Sequence, residues 1–136
     1  MKIELINFGY KNAPKRAHYN DAGADVYAIS DCVVRAMSTV KIPLGFGVKI
    51  PDGLCGLIFP RSGLSSKGIA CELPPIDSGY RGEIHAIVTN NSSIDYKISE
   101  GDRIGQLVIV PIVLADYVES IDEEGRGNGG FSSTGK

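Results

Sequence analysis

The sequence predicts an all-β fold, an antiparallel sandwich or barrel of the jelly-roll kind, on three observations. Short apolar or alternating runs recur at 2-8, 24-29, 32-36, 39-50, 54-59, 82-89, 94-98 and 103-114, each bounded by Gly, Pro, Asp, Asn or Ser. That is the rhythm of strands and turns. No window sustains the i, i+3, i+4, i+7 pattern over three helical turns. Pro43, Pro51, Pro60, Pro74, Pro75 and Pro111 interrupt most helix candidates, because an interior proline removes a hydrogen bond and clashes with the preceding turn. One helical turn after Gly63 is the most the pattern allows.

Taken in order, the run 2-8 opens the chain, and 24-29 and 32-36 follow the acidic turn around Asp21. The run 39-50 reads as one long element, and 54-59 delivers the chain to Pro60 and Arg61. Runs 82-89 and 94-98 follow a tight turn and an Asn/Ser cluster. In the last run, Leu107-Val-Ile-Val-Pro-Ile-Val-Leu114 is almost continuously apolar. Both faces of that strand should therefore be buried, with a subunit interface as the natural cover. Beyond Glu119 the apolar side chains reduce to Ile121 and Phe131. We expect a catalytic jelly roll over 1-119 and a linker with a flexible glycine-rich lid over 120-136. Extended, the chain from Ser120 to Phe131 reaches roughly 35 Å, enough to cross onto a neighbouring subunit.

With 136 residues the chain has room for one domain with one core. A net charge of -2 lacks the basic excess that nucleic-acid binding needs, so no nucleic-acid partner is expected. No apolar run approaches the ~20 residues of a membrane span, and the first residues lack the apolar region of a signal peptide. An intracellular, cytoplasmic protein without a membrane partner is expected. Cys32, Cys55 and Cys71 form no Cys-x-x-Cys pair and leave one over, so they are read as reduced packing residues. His18 and His85 have no metal-ligand spacing, and His85 is read as an ordinary strand residue.

The chemistry is concentrated in five segments. In Asp21-Ala-Gly-Ala-Asp25-Val-Tyr-Ala28, two carboxylates flank a glycine at a strand entrance. The segment reads either as a turn or as a site where Asp25 faces a cation, magnesium through water or an arginine. Pro60-Arg-Ser-Gly-Leu-Ser-Ser-Lys-Gly68 joins two cations, three hydroxyls and two glycines. It is a solvated loop or a phosphate cradle, with Arg61 bidentate, Ser62 donating and Gly63 letting the backbone approach.

Ile76-Asp-Ser-Gly-Tyr-Arg-Gly-Glu-Ile84 is a turn feeding a strand. Asp77 reads either as an ordinary turn residue or, from its apolar lead-in Leu73 to Ile76, as a carboxylate at a cavity wall that can take a proton from attacking water. Tyr80 then lies under a sugar or base. In Glu100-Gly-Asp-Arg-Ile-Gly-Gln-Leu107 the Asp102–Arg103 neighbours read as a surface pair, whereas Gln106, entering an apolar strand, needs a partner for its amide.

The last segment, Arg126-Gly-Asn-Gly-Gly-Phe-Ser-Ser-Thr-Gly-Lys136, is a poor core element but chemically crowded. Taken alone it is a loose polar terminus or a lid whose ordering must be offset by ligand binding. Arg126 and the three hydroxyls of Ser132, Ser133 and Thr134 suit phosphate oxygens, and Phe131 offers a flat face to a ring. Gly125-x-Gly-x-x-Gly130 lacks the strand-to-helix turn of a dinucleotide fingerprint. Gly130-x-x-x-x-Gly-Lys136 lacks the Ser/Thr and helix that a P-loop requires.

These five segments, in this order, resemble the five motifs of the trimeric dUTP pyrophosphatases, from residue 21 to the end. The resemblance implies a homotrimer of β jelly rolls with sites at the subunit interfaces, each closed by the tail of another subunit. It implies hydrolysis of dUTP to dUMP and pyrophosphate with Mg2+, which keeps uracil out of DNA and supplies dUMP for thymidylate synthesis. By the same resemblance Asp77 is the base that activates water for attack on the α-phosphorus, and Tyr80 packs on deoxyribose and excludes a 2′-hydroxyl. Backbone atoms of the hairpin after Asp77 bind uracil. Arg61, Ser62, Gly63 and Gln106 hold the phosphates, and Asp25 orders the magnesium shell or Arg61. Phe131 stacks on uracil, while Arg126, Ser133 and Thr134 enclose the terminal phosphates.

The chain departs from the family pattern at Gly79, where many members carry a second acid, and at Pro75, Gly105 and Ser132. A related fold, dCTP deaminase, carries a glutamate ten residues beyond the Asp motif, where this chain has Ile87. Deamination is therefore disfavoured. A nucleotide sensor without turnover would not need Asp77, Tyr80 and the full tail. A capsid-like structural jelly roll would not need the clustered arginines and the lid.

Overall fold

Alternation lays out the strands, and glycines with a left-handed backbone turn the chain between them. The computed structural model describes residues 1–121 together with 125 and 128. Arg126, Phe131, Ser133 and Thr134, and the linker-and-lid assignment made for the tail, lie outside the described residues.

Among the described residues, ten strands and one helical turn follow in order: β1 Glu4–Asn7, β2 Ala24–Tyr27, β3 Cys32–Val34, β4 Ser38–Pro43, β5 Phe46–Lys49, β6 Leu54–Phe59, α1 Ser62–Ser65, β7 Ile69–Cys71, β8 His85–Asn90, β9 Tyr96–Ile98 and β10 Arg103–Pro111. Every pairing is antiparallel. Two three-stranded sheets, β2-β10-β6 and β4-β8-β7, are accompanied by the pairs β1-β5 and β3-β9. Together they form the expected jelly-roll sandwich, whose single core takes Val26, Ile58 and Ile104 from one sheet and Ile42, Ile69 and Val88 from the other. Phe46 and Leu44, each 1 % exposed, fill its centre.

The run 39-50 is two strands rather than one. Gly45 has φ of 79°, and a Cβ there would lie 2.8 Å from both the Ile29 Cγ2 and the Tyr10 nitrogen, so only glycine fits this corner. The corner carries the chain from β4, paired with β8, to β5, paired with β1. β7 is an addition to the sequence reading: its three residues follow Gly68, φ 83°, and are too few to display a period.

β8 alternates inward Ala86, Val88 and Asn90 with outward His85, Ile87 and Thr89. Asn90 is fully buried yet satisfied. Its amide donates to the Val34 and Ile94 carbonyls at 2.9 and 2.8 Å. Its oxygen accepts from the Ser92 N–H at 2.9 Å and the Ser92 hydroxyl at 2.7 Å.

The expectation of burial on both faces of 107-114 is not met within one chain. Leu107 is buried, Val108 to Val110 are half-buried, and the strand ends at Pro111. Ile112, Val113 and Leu114 are 40 %, 89 % and 73 % exposed, and Tyr117 and Val118 are exposed as well. Among the described residues nothing packs over them. All three cysteines are free. Among the described residues no helix is long and apolar enough to cross a membrane.

Candidate active site

Two separate groups of polar side chains face outward from this sandwich. The first is on the arm between β7 and β8. Ile76 exchanges two backbone hydrogen bonds with Gly56, at 2.8 and 3.0 Å, and packs against the core. Gly56 is closely covered, since a Cβ there would lie 3.4 Å from the Ile76 Cβ and 3.1 Å from Ile50 Cδ1. The apolar lead-in therefore anchors the residue before Asp77, and Pro75 does not prevent it.

After Asp77 the chain turns, with the Tyr80 N–H donating to the Asp77 carbonyl at 3.1 Å. Ser78 donates its hydroxyl to Asp52 at 3.1 Å, which ties the arm to the β5–β6 connection. Gly79 faces open space, so the missing second acid leaves no distortion.

Asp77 and Tyr80 line a cavity of ≈ 230 Å³ between this arm and the outer face of the β4-β8-β7 sheet. Lys41, His85, Ile87, Glu72 and Glu83 line it too. Of these, the sequence singled out only His85, as a strand residue, and Ile87, at the position of a deaminase glutamate. For Lys41, His85 and Ile87 the signal was the period of two, with Lys41 opposite Ile87 and Pro43 opposite His85 across β4 and β8, whereas Glu72 and Glu83 lie outside the strands. His85 stays a strand residue, its Nδ1 3.3 Å from the Glu83 carbonyl. Where a deaminase would carry a glutamate the wall is apolar Ile87, and the nearby Glu72 accepts from the Thr89 hydroxyl at 3.1 Å.

The second group is at the end of the β2-β10-β6 sheet. Gln106 on β10 opposes Asp25 on β2 and Phe59 on β6, so Asp25, Gln106 and the Pro60-Arg61-Ser62 corner arrive together. The partner expected for the Gln106 amide is the Pro60 carbonyl, at 3.2 Å. Ser62 and Gly63 open α1 beside it, both exposed.

Arg103 binds these residues to one another. Its guanidinium reaches the Asp25 carboxylate at 3.4 Å, and its carbonyl accepts from the Arg61 guanidinium at 3.2 Å. The arginine that Asp25 contacts is thus Arg103 and not Arg61. Asp102, the neighbour read as a surface pair for Arg103, instead accepts from the Ser99 N–H at 2.9 Å. Asp21 serves a turn, accepting from the His18 N–H at 2.8 Å. Gly105 stands at a register shift of β10, where an alanine Cβ would fall 2.9 Å from the Phe59 carbonyl oxygen.

Asp25 keeps one carboxylate oxygen, Oδ1, without a hydrogen bond to the described residues. No cluster of three His, Cys, Asp or Glu side chains exists among the described residues. A fully protein-ligated cation has no place there. A magnesium ion that keeps its waters and substrate phosphates requires only one or two carboxylates, and this donor set fits such an ion.

Asp77 and Tyr80 do not share a cavity with Arg61. The cavity holding Arg61 and Arg103, with Tyr27 and Tyr96, has no lining residue in common with that of Asp77. One chain thus presents the Asp77 side chain in one cavity and the Arg61 and Arg103 guanidinium groups in another.

Comparison with known proteins points to one family. The family model described as dUTPase matches residues 9–135. The deoxyuridine 5'-triphosphate nucleotidohydrolase of Paramecium bursaria Chlorella virus 1 is 43% identical over 125 residues, covering 90% of this chain and 89% of that protein. That of Clostridium tetani is 38% identical over 141 residues, covering 100% and 97%. Among solved structures, the dUTPase from phage phi11 of S. aureus, described with a structural Mg(II) ion, superposes with a TM-score of 0.85 at 27% identity, covering 92% of this chain and 100% of that one. Staphylococcus bacteriophage 80alpha dUTPase, solved with dUpNHpp, gives 0.84 at 26% identity, covering 91% and 99%.

Proposed function

This chain belongs to the dUTPase family and hydrolyses dUTP to dUMP and pyrophosphate; from that premise we propose that Asp77 is the general base and that the complete site forms between subunits. The observation that carries the proposal is that Asp77 and Arg61 line cavities with no residue in common, with Ser62 next to Arg61 at the start of α1 and Gln106 bound to the Pro60 carbonyl. A triphosphate nucleotide needs both at once.

Asp77 projects from an arm pinned at Ile76 and Ser78. A water held by its carboxylate gives up a proton to it and forms the new O–P bond at the α-phosphorus, while the bond from that phosphorus to the bridging oxygen breaks and pyrophosphate departs. Tyr80 stands three residues on and walls the deoxyribose, and backbone groups of the hairpin read the uracil edge. Ile87 supports the hydrolytic reading, because it gives no proton carrier at the base.

The phosphate chain lies along Arg61, Ser62, Gly63 and Gln106 of a second subunit. Planar guanidinium and amide groups match phosphate oxygens in charge-assisted hydrogen bonds. Asp25 would hold Mg2+ through water, with substrate phosphates as the other ligands. Bound there, Mg2+ would supply neutralisation of the charge that builds on the departing pyrophosphate. Arg126, Ser133 and Thr134 would close over the terminal phosphates and Phe131 over the base, from a tail spanning 120-136. Residues 1-119 are the catalytic jelly roll, in a homotrimer acting in the cytoplasm. The exposed apolar segment from Ile112 to Val118 supports the oligomer, since contiguous apolar surface of this kind marks association sites.

The test is Asp77→Asn. It should bind dUTP with Mg2+ at close to the parent affinity and release dUMP at least about a thousandfold more slowly, of the order a removed general base predicts together with lost water orientation. A variant that turns dUTP over at a near-normal rate would remove Asp77 from the mechanism.

A further inference from the structure

We propose that Glu83 is a positioning residue for substrate selection: it seats the Tyr80 ring and so sets how strictly the site rejects a 2′-hydroxyl. The proposal rests on the reading of Tyr80 as the wall beside the deoxyribose.

Tyr80 is 46 % exposed, so packing alone does not fix it. Its hydroxyl donates to the Glu83 carbonyl at 2.8 Å. The Glu83 carboxylate in turn accepts from the Gly45 N–H at 2.9 Å, in a half-buried contact. Gly45 is the left-handed corner between β4 and β5, and its own carbonyl accepts from the Phe8 and Tyr10 N–H groups at 2.8 and 3.0 Å. Beside Glu83, Ile84 donates to the Phe46 carbonyl at 2.8 Å and accepts from the Leu44 N–H at 3.1 Å. Glu83 therefore transmits the position of a rigid corner to an exposed ring.

Gly82 provides the seat. A Cβ there would lie 2.4 Å from the Tyr80 hydroxyl oxygen and 2.6 Å from its Cζ, so the ring can rest over residue 82 only while that residue is glycine. A wall that excludes one oxygen atom must be held to a fraction of an ångström. The Tyr80 hydroxyl, Glu83 and Gly45 supply that restraint in series, and Glu83 is its middle link.

The experiment measures kcat and KM for dUTP and for UTP, with Mg2+, on the full-length parent enzyme and on Glu83→Ala, Glu83→Gln, Tyr80→Phe and Tyr80→Ala. The dUTP-to-UTP ratio of kcat/KM should fall roughly three- to tenfold in Glu83→Ala and in Tyr80→Phe, the effect of one lost hydrogen bond. Glu83→Gln should keep the parent ratio, because its amide oxygen accepts from Gly45 as the carboxylate does. If Glu83→Ala slows both substrates equally and keeps the ratio, Glu83 merely supports the fold and the proposal is overturned. If Glu83→Ala does not fold, Tyr80→Phe decides, and an unchanged ratio there overturns it. Tyr80→Ala separates the two levels. A parent-like ratio in that variant removes the role of Tyr80 and this proposal with it, whereas a relaxed ratio in Tyr80→Ala alone overturns only the role of Glu83.

Discussion

Gly23 lies flat against Gln106. The glycine is buried, and a Cβ on it would fall 2.4 Å from the Gln106 Oε1 and 2.7 Å from the Gln106 Cβ. β2 thus approaches β10 closely enough to confine the amide beside the Pro60 carbonyl, where it can meet a phosphate. Gly23→Ala should push Gln106 aside and lower kcat/KM for dUTP at least about tenfold, since hydrogen bonds to charged groups contribute about 1.5–3 kcal/mol. Steady-state kinetics beside a near-unchanged circular dichroism spectrum checks it. Parent-like kinetics would show that Gln106 does not act on the substrate.

Met37 carries φ of 58° at the turn from β3 to β4 and is 74 % exposed. The left-handed region costs a side chain about 1–2 kcal/mol, and here the side chain packs on little in return. Met37→Gly should raise Tm by about 2–4 °C at fixed protein concentration, after the glycine's extra unfolded-state entropy is subtracted. Activity should not change. Differential scanning fluorimetry decides it.

Much of this architecture was legible in the sequence because period-two alternation reports sheet faces directly, as β8 illustrates. The Gly45 corner was not, since a fold between two sheets leaves the apolar run unbroken on either side of it. β7 is too short to carry a period. Candidate site residues such as Asp77 and Tyr80 in a turn and Gln106 entering a strand stood out against apolar neighbours. Lys41 and His85 did not, because an outward strand residue in a cavity has the same pattern as one in water, and Glu83 precedes β8, where no period applies. The Asp25–Arg103 pair joins residues 78 positions apart, a distance that no local spacing reveals.

Asn90 makes four hydrogen bonds from a fully buried position. Asn90→Ala leaves the Val34 and Ile94 carbonyls short of a donor and opens a cavity. It should destabilise the fold by about 3 kcal/mol, read as a shift in urea midpoint. Asp77 is on another element, so the substrate ratio should survive at temperatures where the variant is folded.

Cys71 is pushed up from 9.0 to about 11, first by burial and then by the charge of Glu72. Its thiol should resist alkylation at mildly alkaline pH in the folded protein. The linkage has a definite sign: above pH 9 the unfolded chain releases this proton while the folded one keeps it, so stability falls as pH rises from 9.0 to about 11. Cys71→Ser should flatten that decline in a Tm-against-pH series. An equally steep decline in the variant would assign it to other groups.

The central claim is that Asp77 of one subunit works with Arg61 and Gln106 of another. It is tested most directly by mixing two inactive variants, Asp77→Asn and Arg61→Ala, under conditions that let subunits exchange. Sites built across subunits should regain activity toward about a quarter of the parent value, because roughly one hybrid pairing in four carries neither defect. If mixed assemblies form and remain as inactive as the separate variants, each site is contained within a single chain and the claim of a shared site fails.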